Sequence, residues 1–227
     1  LVLGDLGTSW RTGNPVTFDL SSRWPATLEL ASIAMIFAIM WSIPLGLISS
    51  IKKRSFSDYI AKFLSGLGVA IPEFWLATLL ILVFFAGFEI APAPIGRIML
   101  ASPPESITGM YILDSVITGN WESFSASVAQ IILPASTLAI TIGAPLLRVT
   151  RTFMNEVLDS QFIRSARAMG IPKSSIIFRH AFPNVLLPVS TMIAVLYGYL
   201  LGGTVLVEFV FSWPGMGKYA IDSINSS

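Results

Sequence analysis

Four long apolar runs decide what this chain can fold into. They cover roughly residues 27–50, 61–88, 127–149 and 185–207. A helix of about 20 apolar residues spans the hydrocarbon core of a bilayer, and every run reaches that length. The alternative is a set of core helices in a large soluble protein, but such helices are shorter and keep a polar face. Here residues 30–51 carry no charge, and 180–207 carry none apart from His180. Charged residues make up 12% of the chain, about half the share of an ordinary soluble domain. The runs are therefore read as four spans of an all-α, polytopic membrane helix bundle.

Sidedness follows from where lysine and arginine fall. Lys52, Lys53, Arg54 and Lys62 lie in the connection 51–62, and Arg148, Arg151, Arg164, Arg167, Lys173 and Arg179 lie in 148–183. That places ten of the fourteen basic residues on one side, the cytoplasmic one. The stretches 1–25, 89–126 and 208–227 then face outward. They hold Arg11, Arg23, Arg97 and Lys218 among a majority of acids, Asp5, Asp19, Glu89, Glu105, Asp114, Glu122, Glu208 and Asp222. The chain opens at Leu1 without a visible signal peptide. A piece lacking one helix at each end is expected, in preference to a four-helix bundle with both ends outside.

Residues 1–25 carry turn signals (Gly4, Gly7, Gly13, Asn14-Pro15) and are expected as an outer loop, with the first span beginning near Pro25. The second span carries Ser65-Gly66-Leu67-Gly68, whose small residues permit close helix contact, and then Ile71-Pro72-Glu73. Glu73 is the one acid well inside a run. An ionisable group there is costly unless it faces protein or water, so Glu73 is a translocation-path candidate. The structural alternative is a hydrogen bond at a helix broken by Pro72. The outer loop 89–126 contains ITGMYILDSVI, too short to cross. The spacing Gly198-Tyr-Leu-Leu-Gly202 in the fourth run points to helix packing.

Several chemistries have no residues to carry them. There is no cysteine and a single histidine, so neither a disulfide framework nor a multi-histidine or thiolate metal site is expected. No GxxxxGK[ST] loop, HExxH or GxSxG motif occurs. Gly215-Met-Gly-Lys218 is too short for a phosphate loop. The chain is not expected to be an enzyme, to bind a cofactor of its own or to bind nucleic acid. A secondary transporter or channel would need intramembrane ion-coupling charges and usually internal repeats, and a membrane-anchored scaffold is a third class.

The most patterned segment is 159–183, DSQFIRSARAMGIPKSSIIFRHAFP. Asp159 or Ser160 can cap a short helix. Gly170 fits a left-handed stop, and Pro172 follows two residues later. A second short helix is expected over about 172–182. Ala166 and Ala168 would leave a low surface for another protein. The simpler reading is an interfacial helix drawn to anionic lipid by its arginines.

The segment resembles the EAA loop of ABC importer permeases, whose pattern is E-A-A-x3-G-x9-I-x-L-P. Gly170 to Pro183 matches its spacing, and Ser165 and Ala166 fall on the two alanines. Arg164, His180 and Phe182 replace the Glu, Ile and Leu. RSARAMG followed by RHAFPNVLLPV looks like the oligopeptide/dipeptide branch. So do GDLGTSW, RWPATLELA, IPEFWLA, ITGMYILDS, ILPASTLAI and VEFVFSWPGMG, in order along the whole chain. The resemblance implies an inner-membrane permease of the type I fold with six helices in the full chain. It also implies a second permease, two cytoplasmic ATPase subunits carrying the ATP and Mg, and an extracytoplasmic binding protein. The implied substrates are di- or oligopeptides, or nickel chelates, glutathione or oligosaccharides on the same scaffold. By carry-over, Ser160, Phe162, Ile163, Arg164, Ser165, Ala166, Arg167, Ala168 and Gly170 would form the coupling helix that docks on an ATPase.

Overall fold

A computed structural model describes residues 6–9, 12–99 and 101–225. Gly4, Asp5, Trp10, Arg11 and the two chain ends lie outside the described residues. The helices are α1 (Val16–Ile51), α2 (Phe56–Ala70), α3 (Glu73–Gly87), α4 (Tyr111–Thr118), α5 (Trp121–Leu158), α6 (Gln161–Ala168), α7 (Lys173–Gly203), α8 (Val205–Val210) and α9 (Met216–Asn225). Among the described residues the only β feature is an isolated bridge between Thr8 and Pro15. α1, α5 and α7 are long and apolar enough to cross a membrane, and α2 with α3 makes a fourth span if the two are counted together. Ile71 and Pro72 separate that pair with extended backbone. Proline has no amide to give the helix and pushes the residue before it out of helical geometry.

Several boundaries differ from the sequence reading; α5, for one, starts at Trp121, inside the expected outer loop 89–126. α1 begins at Val16, so the outer loop expected over 1–25 gives way to helix. Pro15 offers its carbonyl to the amides of Phe18 and Asp19, and Asp19 accepts from Thr12 Oγ1 at 2.6 Å and Tyr219 Oη at 3.0 Å. α5 continues to Leu158, well past 149. Arginine is a good helix former, so the end of the apolar run does not end the helix, and Arg151 on that extension is paired with Asp58. Lys173 opens a helix that runs on to Gly203 through π-type turns at Ile176–Ala181, and no separate helix ends near 182.

The chain divides into two compact units. The first contains residues 1–34, 72–138 and 199–227, the second 35–71 and 139–198. All segments assigned outward by charge fall in the first unit, and both Lys/Arg-rich connections fall in the second. The first unit is centred on Leu30, Leu76, Ile131, Leu138, Leu200 and Trp213, all buried.

In the second unit, small residues set the helix contacts. A Cβ on Gly143 would run into the Trp41 ring, and one on Gly68 would run into Ala144. One on Gly46 would stand 2.9 Å from Thr150 Cβ. Trp41 Nε1 donates to the Ala139 carbonyl at 3.2 Å. Lipid tails are as apolar as leucine, so close van der Waals contact of this kind holds membrane helices together. Gly66 has nothing within 4 Å of its Cβ position. Gly143→Ala is therefore expected to destabilise the protein by about 1–3 kcal/mol through overpacking, and Gly66→Ala, inside α2 with open space around it, to stabilise it by up to about 1 kcal/mol, as read from thermal unfolding in detergent.

Candidate functional site

α6 has the sharp ends that the sequence predicts, with one difference in chemistry. Ile171 N donates to Ala166 O at 3.2 Å and Gly170 N to Arg167 O at 3.0 Å. That pair of bonds, with Gly170 at φ +77°, is a Schellman stop. At the other end Ser160 is the N-cap residue, but no side chain caps the helix there. Ser160 Oγ donates instead to Val157 O at 2.5 Å. The Asp159 carboxylate is taken by Lys53, 2.9 Å away, and that ammonium holds Asp159 below the usual carboxylate range.

Ile163 and Ala166 are buried and seat α6 against its own unit. Ala166 therefore does not offer the low outer surface expected of it. The exposed side carries Phe162, 47% exposed, Ser165 and Met169, 72% exposed, at three- and four-residue spacing. Arg164 and Ala168 are exposed as well. Arg167 folds back, with Nη2 donating to Leu158 O at 3.2 Å.

Asp58 ties the 51–62 connection to α5. It is buried and lies 2.7 Å from Arg151 Nη2 and 3.0 Å from Lys62 Nζ. It also accepts from the amide of Arg54 at 3.1 Å. Arg54 itself sits in the left-handed region at φ +63°.

Glu73 is the first residue of α3 and is only half-buried, so it is not the well-buried charge the sequence suggests. Tyr199 Oη donates to its Oε1 at 3.2 Å. The Gly198 and Gly202 Cβ positions meet nothing within 4 Å, so this small-residue spacing makes no helix contact within the chain.

Comparison with known proteins gives the family of the chain. Residues 42–227 match the family described as binding-protein-dependent transport system inner membrane component. The chain belongs to that family. It is 41% identical to a probable D,D-dipeptide transport system permease protein of Escherichia coli K12, over 98% of this chain and 66% of the relative. It is 40% identical to a dipeptide transport system permease protein of Alkalihalophilus pseudofirmus, over 99% of this chain and 67% of the relative. An oligopeptide transport system permease protein of Bacillus subtilis is 37% identical over 98% and 65%. The chain spans about two thirds of the length of these relatives.

The sequence reading of this inner membrane component missed its buried carboxylates. Glu208 is fully buried and accepts from Thr27 Oγ1 at 2.7 Å, Thr204 Oγ1 at 3.0 Å, and the amides of Gly217 at 2.8 Å and Lys218 at 3.1 Å. The last two are free amides in the first turn of α9, where a carboxylate is favoured. Any side chain on Gly215 would collide with that carboxylate, which accounts for the glycine after Trp213-Pro214. Glu29 pairs with buried Arg97 at 2.5 Å and accepts from the Ile112 amide at 2.7 Å. The Arg97 guanidinium lies 3.7 Å over the Tyr111 ring. Asp114 accepts from the amides of Ile107, Thr108 and Gly109 and from Thr108 Oγ1. The only sequence signals for these roles are an acid next to small or turn residues.

Burial pushes the Asp114 carboxyl up, but the four hydrogen bonds outweigh it and leave it below its ordinary 3.8. A depressed folded-state pKa stabilises above the unfolded value and is lost as pH falls through the folded one. Asp114→Asn should lower stability by about 1–3 kcal/mol at pH 7, the scale of hydrogen bonds to a charged group. The gap from wild type should narrow below about pH 4, and thermal unfolding of both proteins at pH 7 and pH 3 measures it.

Proposed function

We propose that this chain is the transmembrane permease subunit of an ATP-driven importer of di- and oligopeptides, forming half of a translocation path that works by alternating access. One observation carries the reading: identity of about 40% with dipeptide transport system permease proteins over almost the whole chain. Its partners are a second permease, two cytoplasmic ATPase subunits that hold ATP and Mg, and an extracytoplasmic binding protein.

In this reading α6 and its flanks, Ser160 to Gly170, are the coupling helix. Phe162 and Met169 are apolar side chains left largely uncovered outside the apolar spans, which marks a surface for another protein. Ile163 and Ala166 anchor the helix from behind, so a push on its outer face moves it as a unit. Glu73 belongs to the translocation path. Copurification of the ATPase through 159–172, and its loss on Ala168→Trp with membrane insertion intact, tests the docking surface.

Gly170 sets the angle at which the chain leaves α6. A side chain there meets no atom within 4 Å, so its cost is conformational only. The left-handed region costs an ordinary residue about 1–2 kcal/mol, and β-branching adds to it. Gly170→Val is expected to insert normally and to keep ATPase activity in the assembled transporter. Its peptide uptake per ATP hydrolysed should fall by about tenfold, the factor that about 1.4 kcal/mol of lost coupling corresponds to. Wild-type uptake by this variant would refute the rigid-lever mechanism.

A further inference from the structure

We propose that Glu73 and Tyr199 form a subsite for the primary ammonium group of the substrate. This rests on the importer reading above and adds a ligand chemistry to it. Among the described residues every buried carboxylate has more than one donor, as Glu208 and Asp114 illustrate. Glu73 differs. It is half-buried, and among the described residues its carboxylate has one hydrogen-bond partner, the neutral hydroxyl of Tyr199 at 3.2 Å. Oε2 keeps its full capacity to accept.

A carboxylate in a membrane segment has to face protein or water, because lipid gives it no donors. The surroundings of Glu73 fit a cation of small size. Tyr199 is 53% exposed, and its ring rests against Gly203, where a Cβ would stand 3.2 Å away. Gly202 leaves open space beside it. The Tyr199 phenol oxygen can accept from an ammonium ion while its own O–H continues to donate to Glu73 Oε1. An ammonium carries three donors. Oε2, the Tyr199 oxygen and one water or peptide carbonyl are enough to satisfy it. A hard metal ion needs about six oxygen ligands, and the described residues contain no cluster of three metal-binding side chains.

Tyr199 is then a positioning residue. It fixes the carboxylate rotamer through Oε1 and leaves Oε2 to the ligand.

The test uses the full-length permease pair with its ATPase subunits in lipid vesicles, without ATP or binding protein. Dialanine and propionyl-alanine, which lacks only the amino group, are titrated into it. Wild type is expected to bind dialanine at least tenfold more tightly. Glu73→Gln should erase that preference, and Tyr199→Phe should reduce it severalfold. Equal affinity of wild type for the two probes, no binding of dialanine, or an unchanged preference in Glu73→Gln overturns the subsite. If Glu73→Gln does not assemble, the wild-type comparison decides alone. A pair that falls apart in Glu73→Gln and shows no wild-type preference marks Glu73 as a counter-charge between permeases and overturns it too. ATP-driven dialanine uptake by wild-type vesicles supplied with binding protein tests the importer reading separately. Uptake without preference removes the subsite and leaves the importer standing.

Discussion

A carboxylate taken out of water has to be met by donors, and most of this chain's long-range order follows from that requirement. Asp19, Glu29, Asp58, Asp114 and Glu208 are all buried. Leaving one such group unpaired costs several kcal/mol, on the order of a protein's whole margin of stability. Asp114 takes its partners from the turn just before it, but each of the others has a partner from far along the chain. Thr27 is 181 residues from Glu208, Tyr219 is 200 from Asp19, and Arg151 is 93 from Asp58. These pairs form only when the helices already stand in their final places. They therefore select one arrangement of the connecting segments and do not merely add stability to any compact one.

The same requirement explains what could be read from the sequence. Apolar runs report burial in lipid directly, and so three spans were legible, with a fourth where α2 and α3 are counted together. Lysine and arginine counts divided the connections into two sets, and the structure keeps the two sets in different units. The stop at Gly170-Ile-Pro172 was legible because it is local: two backbone bonds and one left-handed residue. What depends on distant partners was not. The start of α1 at Val16 relies on Tyr219 holding Asp19. The pairing of Arg151, on the part of α5 beyond 149, with Asp58 also joins residues far apart in the chain. Ser160 looked like a cap because serine usually is one, and only the structure reveals that its hydroxyl turns back to Val157. Ala166 turns inward where an open surface was expected, and Gly198 and Gly202 meet no atom of this chain. A small residue can equally line an inner contact or an open surface, and its type does not say which.

Glycine and hydroxyl residues do for packing what the carboxylates do for polarity. Thr150 illustrates the link. Its Oγ1 donates to Leu146 O at 2.8 Å within its own helix, which removes the polar group from the interface. Its methyl and Cβ then face Gly46. A threonine satisfied in this way behaves as a small apolar residue and lets two backbones approach. Trp41 over Gly143 adds a hydrogen bond to the Ala139 carbonyl, so one large side chain both fills the contact and fixes its register.

The helix proposed to meet an ATPase is eight residues long, and a free helix of that length is marginal in water. Its rigidity has to be borrowed. Ile163 and Ala166 supply it from the buried side, Arg167 from a bond to Leu158 O, and the Schellman turn from the C-terminal end. At the other end the connection to α5 is only Asp159 and Ser160, and Lys53 holds Asp159. α5 is unbroken from there back to Trp121, and α7 is unbroken from Lys173 to Gly203. On the proposed reading, a force applied to Phe162 and Met169 enters two continuous helices through a two-residue hinge on one side and Gly170 to Pro172 on the other. The stiff parts are long and the compliant parts are short, which is what transmission over a membrane's thickness demands of a lever made of helix.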